Sequence, residues 1–139
     1  MVKLIVGLEG KGKTKHLLDM VNEEIKTASG NIVFLDRSTK HMFELNNKVR
    51  LINVSEYDFD DCSEFVGFIY GILSQDHDIQ QMYIDGLIKI AKHDKAAFFN
   101  IVRKLDTVSE KFGFEIICSA SIDESELEED LKKMVIVSL

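Results

Sequence analysis

Eight residues near the amino end, Gly7-Leu8-Glu9-Gly10-Lys11-Gly12-Lys13-Thr14, constrain this chain more tightly than any other segment. They follow an apolar run, Leu4-Ile5-Val6, and lead into a stretch with Leu17, Leu18, Val21 and Ile25 at helical spacing. A glycine-rich turn between a buried strand and an amphipathic helix has a definite physical consequence. Gly7, Gly10 and Gly12 let the backbone curl through dihedrals closed to other residues. The N–H groups exposed by that curl, at the positive end of the following helix, form a nest for an anion. Lys13 is placed to reach the β- and γ-phosphates of a nucleotide and is the candidate catalytic cation, while the Thr14 hydroxyl is placed to bind Mg²⁺. Residues 7–14, with Lys15 one position further on, are therefore the candidate cofactor-binding stretch.

The rest of the chain supplies a framework for such a turn. Its 139 residues fit a single domain spanning 1–139, and the absence of proline removes any Pro-rich linker. Short apolar runs alternate with helical patterns, which indicates a mostly parallel sheet covered by helices. Strands are expected at Lys3–Val6, Asn31–Asp36, Val49–Val54, Gln81–Asp85, Phe114–Ser119 and Met134–Val137. Helices are expected over Thr14–Thr27, stopped by Gly30, and from Asp61 and Glu64, with capping-box spacing, through Leu73. A third runs from about Lys95 to Phe112, ended by Gly113, and a short one covers Glu124–Lys133. The fold class is thus α/β, a three-layer sandwich with five to six strands.

Charge and cysteine content exclude several functions. The formal net charge is −7, from 24 acidic and 17 basic side chains, so nucleic acid is not indicated as a partner. Six of the eight residues in Asp123–Asp130 are carboxylates, read as the solvated start of a helix. The two cysteines, Cys62 and Cys118, read as reduced core thiols, and the four histidines, His16, His41, His77 and His93, lack metal-ligand spacing. No apolar stretch reaches the roughly 20 residues of a membrane span, and the amino-terminal run is too short for a signal peptide. A cytoplasmic location is expected.

The pattern G-x-x-x-x-G-K-S/T is met in full, and on these residues the chain resembles the P-loop NTPase superfamily. The fuller spelling G-x-x-G-x-G-K-T is common among its ATP-using branches. More loosely, the chain is similar to small stand-alone ATP-binding proteins labelled PilT-like, or twitching-motility, ATPases. The resemblance implies ATP or another NTP with Mg²⁺ as ligands. It also implies a second acid for the metal at the end of an apolar strand. Asp85 closes Met82-Tyr83-Ile84 and Asp36 closes Ile32-Val33-Phe34-Leu35; Asp85 is preferred because the family places this acid later in the chain, and Asp36 stays open. Many relatives complete their sites across a subunit interface, so a homo-oligomer or another protein partner is compatible with the resemblance.

Several positions shape what the loop would do. Hydrolysing branches commonly follow the metal acid with a Glu that activates water, and here Gly86 stands there, which points to slow or partner-stimulated hydrolysis. Glu56, Asp58, Asp60 and Asp61 follow the third strand and are alternative bases, or else a turn and a helix cap. Ser119 and Ser121 stand where the family often has a sensor of the γ-phosphate. Only three arginines occur, Arg37, Arg50 and Arg103, too few for the lid of a small-molecule kinase. Of these, Arg37 is the candidate for a phosphate contact or an intersubunit finger. Asn47-Lys48-Val49-Arg50 lacks the acid of the guanine-binding N-K-x-D signature, which favours ATP. A non-catalytic switch that responds to nucleotide is the alternative function.

Overall fold

Residues Val2–Val6 form strand β1, and the computed structural model, which describes residues 1–139, builds a six-stranded sheet around it. The other strands are β2 (Asn31–Asp36), β3 (Arg50–Asn53), β4 (Ile79–Ile84), β5 (Glu115–Ala120) and β6 (Val135–Ser138). Their spatial order is β3-β2-β4-β5-β1-β6, and every pairing is parallel. This includes the β2–β3 pair, where the 37–49 connection between them holds no helix (Val33 faces Arg50).

Period-two alternation sends successive side chains to opposite layers. Leu4, Val6, Val33, Leu35, Met82, Ile84, Ile116 and Cys118 join a 29-residue core on one face. Ile5, Ile32, Phe34, Tyr83 and Ile117 join a ten-residue core on the other. The larger core is closed by helices α2 (Cys62–Ser74), α3 (Leu87–Ile90) and α4 (Lys95–Phe112), through residues such as Phe65, Leu87 and Phe98. The smaller is closed by α1 (Lys13–Glu24), through Leu17, Leu18 and Val21, together with Leu45 and Val49. The result is the expected three-layer α/β sandwich.

Local signals behave as their chemistry requires in α2 and α4. The Asp61 carboxylate accepts the Glu64 N–H at 2.9 Å, and the Glu64 side chain reaches back to the Asp60 N–H at 2.5 Å. Asp94 caps α4 by accepting from Ala97, and Gly113, at φ 69°, ends it.

Other expectations are corrected. Helix α1 stops at Glu24, three residues early, and Lys26 and Thr27 form tight i→i−3 bonds to Glu23 and Glu24. Gly30 is therefore not its cap. A Cβ there would lie 2.4 Å from the Asp78 carbonyl oxygen, so glycine is needed for the close approach of the two chain segments. The expected helix over Glu124–Lys133 divides into a 3-10 turn at Glu124–Glu126 and a short α5 at Glu129–Lys132. Leu127 and Glu128 are extended between them, which sinks Leu127 and Leu131 into the core while Arg103 gathers Glu128 and Asp130. Helix α3 has no counterpart in the sequence reading, because four residues are too few to display a helical period.

Candidate functional site

The turn after β1 leaves the sheet at its carboxyl end and enters α1 through Gly12. Gly10 and Gly12 have φ of 80° and 91°, and nothing stands within 4 Å of where a Cβ would be on either. Glycine is required there by the dihedral, and the space above the loop stays open for a ligand. Lys13 is folded across this curl, with its ammonium donating to the Leu8 carbonyl at 2.9 Å and only 8% of its surface exposed. Burial lowers its pKa most, Asp85 and Glu9 act to hold the charge, and Lys89 opposes them.

Asp85 is the first residue after β4, and β5 separates that strand from β1. The insertion sets Ser119 of β5 between loop and acid: Ile5 faces Ser119, and Ile84 faces Cys118 one position earlier. The Thr14 hydroxyl lies 3.1 Å and 3.2 Å from the two Asp85 carboxylate oxygens. The Ser119 hydroxyl donates to Asp85 Oδ1 at 2.5 Å and accepts the Gly86 N–H at 2.8 Å. Asp85 is thus clamped from both sides. Around it lies a cleft of about 340 Å³ lined by ten residues, none hydrophobic, among them Glu9, Gly10, Gly12, Lys13, Thr14 and Asp85. Gly86, Lys89, Ser119 and Ser121 complete it.

Asp36, the other candidate acid, ends β2 beside Asp85, whose N–H donates to the Leu35 carbonyl at 2.9 Å. One Asp36 oxygen accepts the Arg37 N–H at 2.7 Å, and the other is buried with no hydrogen-bond partner. Burial, then the Asp85 charge, raises its pKa above the usual carboxylate value. Asp36 does not line the cleft, yet its buried, unpartnered oxygen is the least satisfied polar atom near it.

The remaining candidates divide clearly. Gly7 is buried beneath the loop, and the Leu8 side chain is exposed, contributing its carbonyl alone. Lys11 and Lys15 are exposed, with Lys15 paired to Asp19 at 3.0 Å. None of Glu56, Asp58, Asp60, Asp61 or Arg37 lines the cleft. Sequence reasoning passed over Lys89, while Glu9, part of the expected binding stretch, does line the cleft. A lysine four residues after a strand-end acid was the only available signal.

A hydroxyl and a carboxylate from opposite sides form a hard-oxygen pair, and Mg²⁺ is held by one or two protein oxygens together with phosphates and water. No group of three or more His, Cys, Asp or Glu is arranged to hold a metal by itself. The residues present therefore fit Mg²⁺ arriving with a phosphate ligand better than a stand-alone metal centre.

Fold and cleft together define a P-loop-type α/β domain. The chain is similar to the crystal structure of a KaiC-like protein from the hyperthermophilic archaeon Pyrococcus horikoshii. The superposition has a TM-score of 0.71 at 16% identity and covers 98% of this chain and 71% of that one. At that identity the likeness establishes the fold. No family model and no curated protein matches the chain, so the PilT-like resemblance rests on the loop residues alone.

Proposed function

We propose that the chain binds a nucleoside triphosphate, ATP by preference, with Mg²⁺ at the carboxyl ends of its strands. The observation that carries this reading is the meeting of Thr14 and Asp85 at 3.1 Å directly beside the open curl of Gly10 and Gly12. The loop N–H groups and Lys13 would hold the phosphates, and Thr14 and Asp85 the metal, with Ser119 fixing the carboxylate. Bound Mg²⁺ would neutralise phosphate charge and polarise the terminal phosphoryl group. The choice of ATP rests on the incomplete N-K-x-D signature.

Hydrolysis in this reading is slow or stimulated by a partner. Gly86 provides no carboxylate beside Asp85, and the Glu56–Asp61 acids stand away from the cleft. Asp36, the acid beside Asp85, does not line the cleft, and its unpartnered oxygen is buried out of reach of a water there. Its burial just outside the cleft lining is consistent with low basal turnover. The same features support the second reading, a nucleotide-responsive switch whose turnover is incidental.

Titration with a fluorescent ATP analogue, with and without Mg²⁺, tests the proposal. Saturable, Mg²⁺-strengthened binding that falls at least about tenfold in Lys13→Ala is expected. No binding in the wild type, or binding indifferent to Lys13, overturns it. Single-turnover hydrolysis measured alone and with cell extract separates the readings, since constitutive turnover indicates an enzyme and turnover only on stimulation a switch.

A further inference from the structure

Two lysines face the cleft, and the nucleotide-binding pattern explains only one of them. Lys89 lies on α3, four residues after Asp85, and its side chain runs back over the glycine between them. Its Cδ lies 3.9 Å from where a Cβ on Gly86 would stand. From there its ammonium points toward the phosphate loop and stops 3.7 Å from Glu9 Oε1. That separation is too long for a hydrogen bond, and the side chains are 42% and 71% exposed, so the pair is a weak, readily exchanged contact.

Its position carries the argument. Thr14 and Asp85 would hold the metal that accompanies the β- and γ-phosphates in P-loop sites, so their side of the cleft would take the terminal phosphate. Lys89 flanks that side, and Lys13 feels its charge. Gly86 leaves the path between Lys89 and the cleft free of any side chain at that position. Glu9, by contrast, is a carboxylate on the anion-binding loop itself, where an incoming phosphate chain repels it.

We propose that Lys89 reads the terminal phosphate: Glu9 holds it in the diphosphate and free states, and a γ-phosphate draws it away. This rests on the nucleotide reading above and adds to it the discrimination of triphosphate from diphosphate. The exchange needs no new charge, since the phosphate replaces Glu9 as the partner of one ammonium group. It also ties α3, which packs on the core through Leu87 and Ile88, to the identity of the bound nucleotide.

Equilibrium binding of a non-hydrolysable ATP analogue and of ADP, each with Mg²⁺, to wild type, Lys89→Ala, Lys89→Arg and Glu9→Gln tests the proposal. Lys89→Ala should weaken the triphosphate about tenfold and ADP by less than about twofold. Lys89→Arg should restore the preference, and Glu9→Gln should tighten the triphosphate more than ADP by freeing Lys89. Unchanged triphosphate affinity in Lys89→Ala, or equal loss for both nucleotides, overturns the proposal while leaving the nucleotide site intact. Weaker triphosphate binding in Glu9→Gln overturns the role given to Glu9. A wild type that binds neither nucleotide overturns the site reading itself.

Discussion

Thr14 and Asp85 stand 71 positions apart in the chain and meet through the Thr14 hydroxyl, 3.1 Å from the Asp85 carboxylate. Strand β5 lies between β1, which leads into the helix of Thr14, and β4, which ends just before Asp85, so the contact joins the ends of strands that are not neighbours. The pair offers a cation two hard oxygens at once. Asp85→Asn keeps the shape and removes the charge. In that variant the Mg²⁺ concentration for half-maximal nucleotide binding should rise about tenfold, with metal-free binding little changed, as measured by Mg²⁺ titration at fixed nucleotide.

Ser119 makes that carboxylate stay where it is. Ser119→Ala leaves the Gly86 N–H without its acceptor and Asp85 with one donor fewer. Urea unfolding should show a loss of about 1–2 kcal/mol, and Mg²⁺-dependent binding should weaken in parallel. A stability loss with metal response unchanged would separate the clamp from the metal site.

Asp36 has a different and pH-dependent signature. Its folded pKa lies above its unfolded one, so ionising it opposes folding. The contribution to stability is greatest below the ordinary carboxylate value of about 4 and is lost as pH rises through the elevated value. Asp36→Asn should therefore melt a few degrees higher than wild type near pH 7, a gap that closes toward about pH 4. Because its free oxygen is sealed from the cleft, the same variant should retain both nucleotide binding and single-turnover hydrolysis.

Asp61 provides the contrasting case. It caps α2 and stands away from the cleft, so Asp61→Ala should cost about 1 kcal/mol of stability and leave nucleotide affinity and turnover unchanged. Chemical unfolding and the binding titration together check this.

Legibility followed the range of the interaction that decides each feature. Strand β2 and helix α4 were readable, because a buried apolar run and a long stripe ended by Gly113 are signals within one segment. The 124–133 segment was misread as one helix, because Arg103, far off in the chain, competes for its carboxylates, and Leu127 and Leu131 must both reach the core. Helix α3 was invisible, and with it Lys89 as a cleft residue.

The glycine loop belongs to the sequence itself. Its glycines, Lys13 and Thr14 lie within one turn and one helix start, so local dihedral and hydrogen-bonding requirements are enough to specify it. Sheet order is a matter of non-local packing, and only the tertiary structure decided it. By inserting β5 between β1 and β4, that order set Asp85 against Thr14, Ser119 between them, Asp36 alongside with an unpartnered oxygen, and Lys89 across from Glu9.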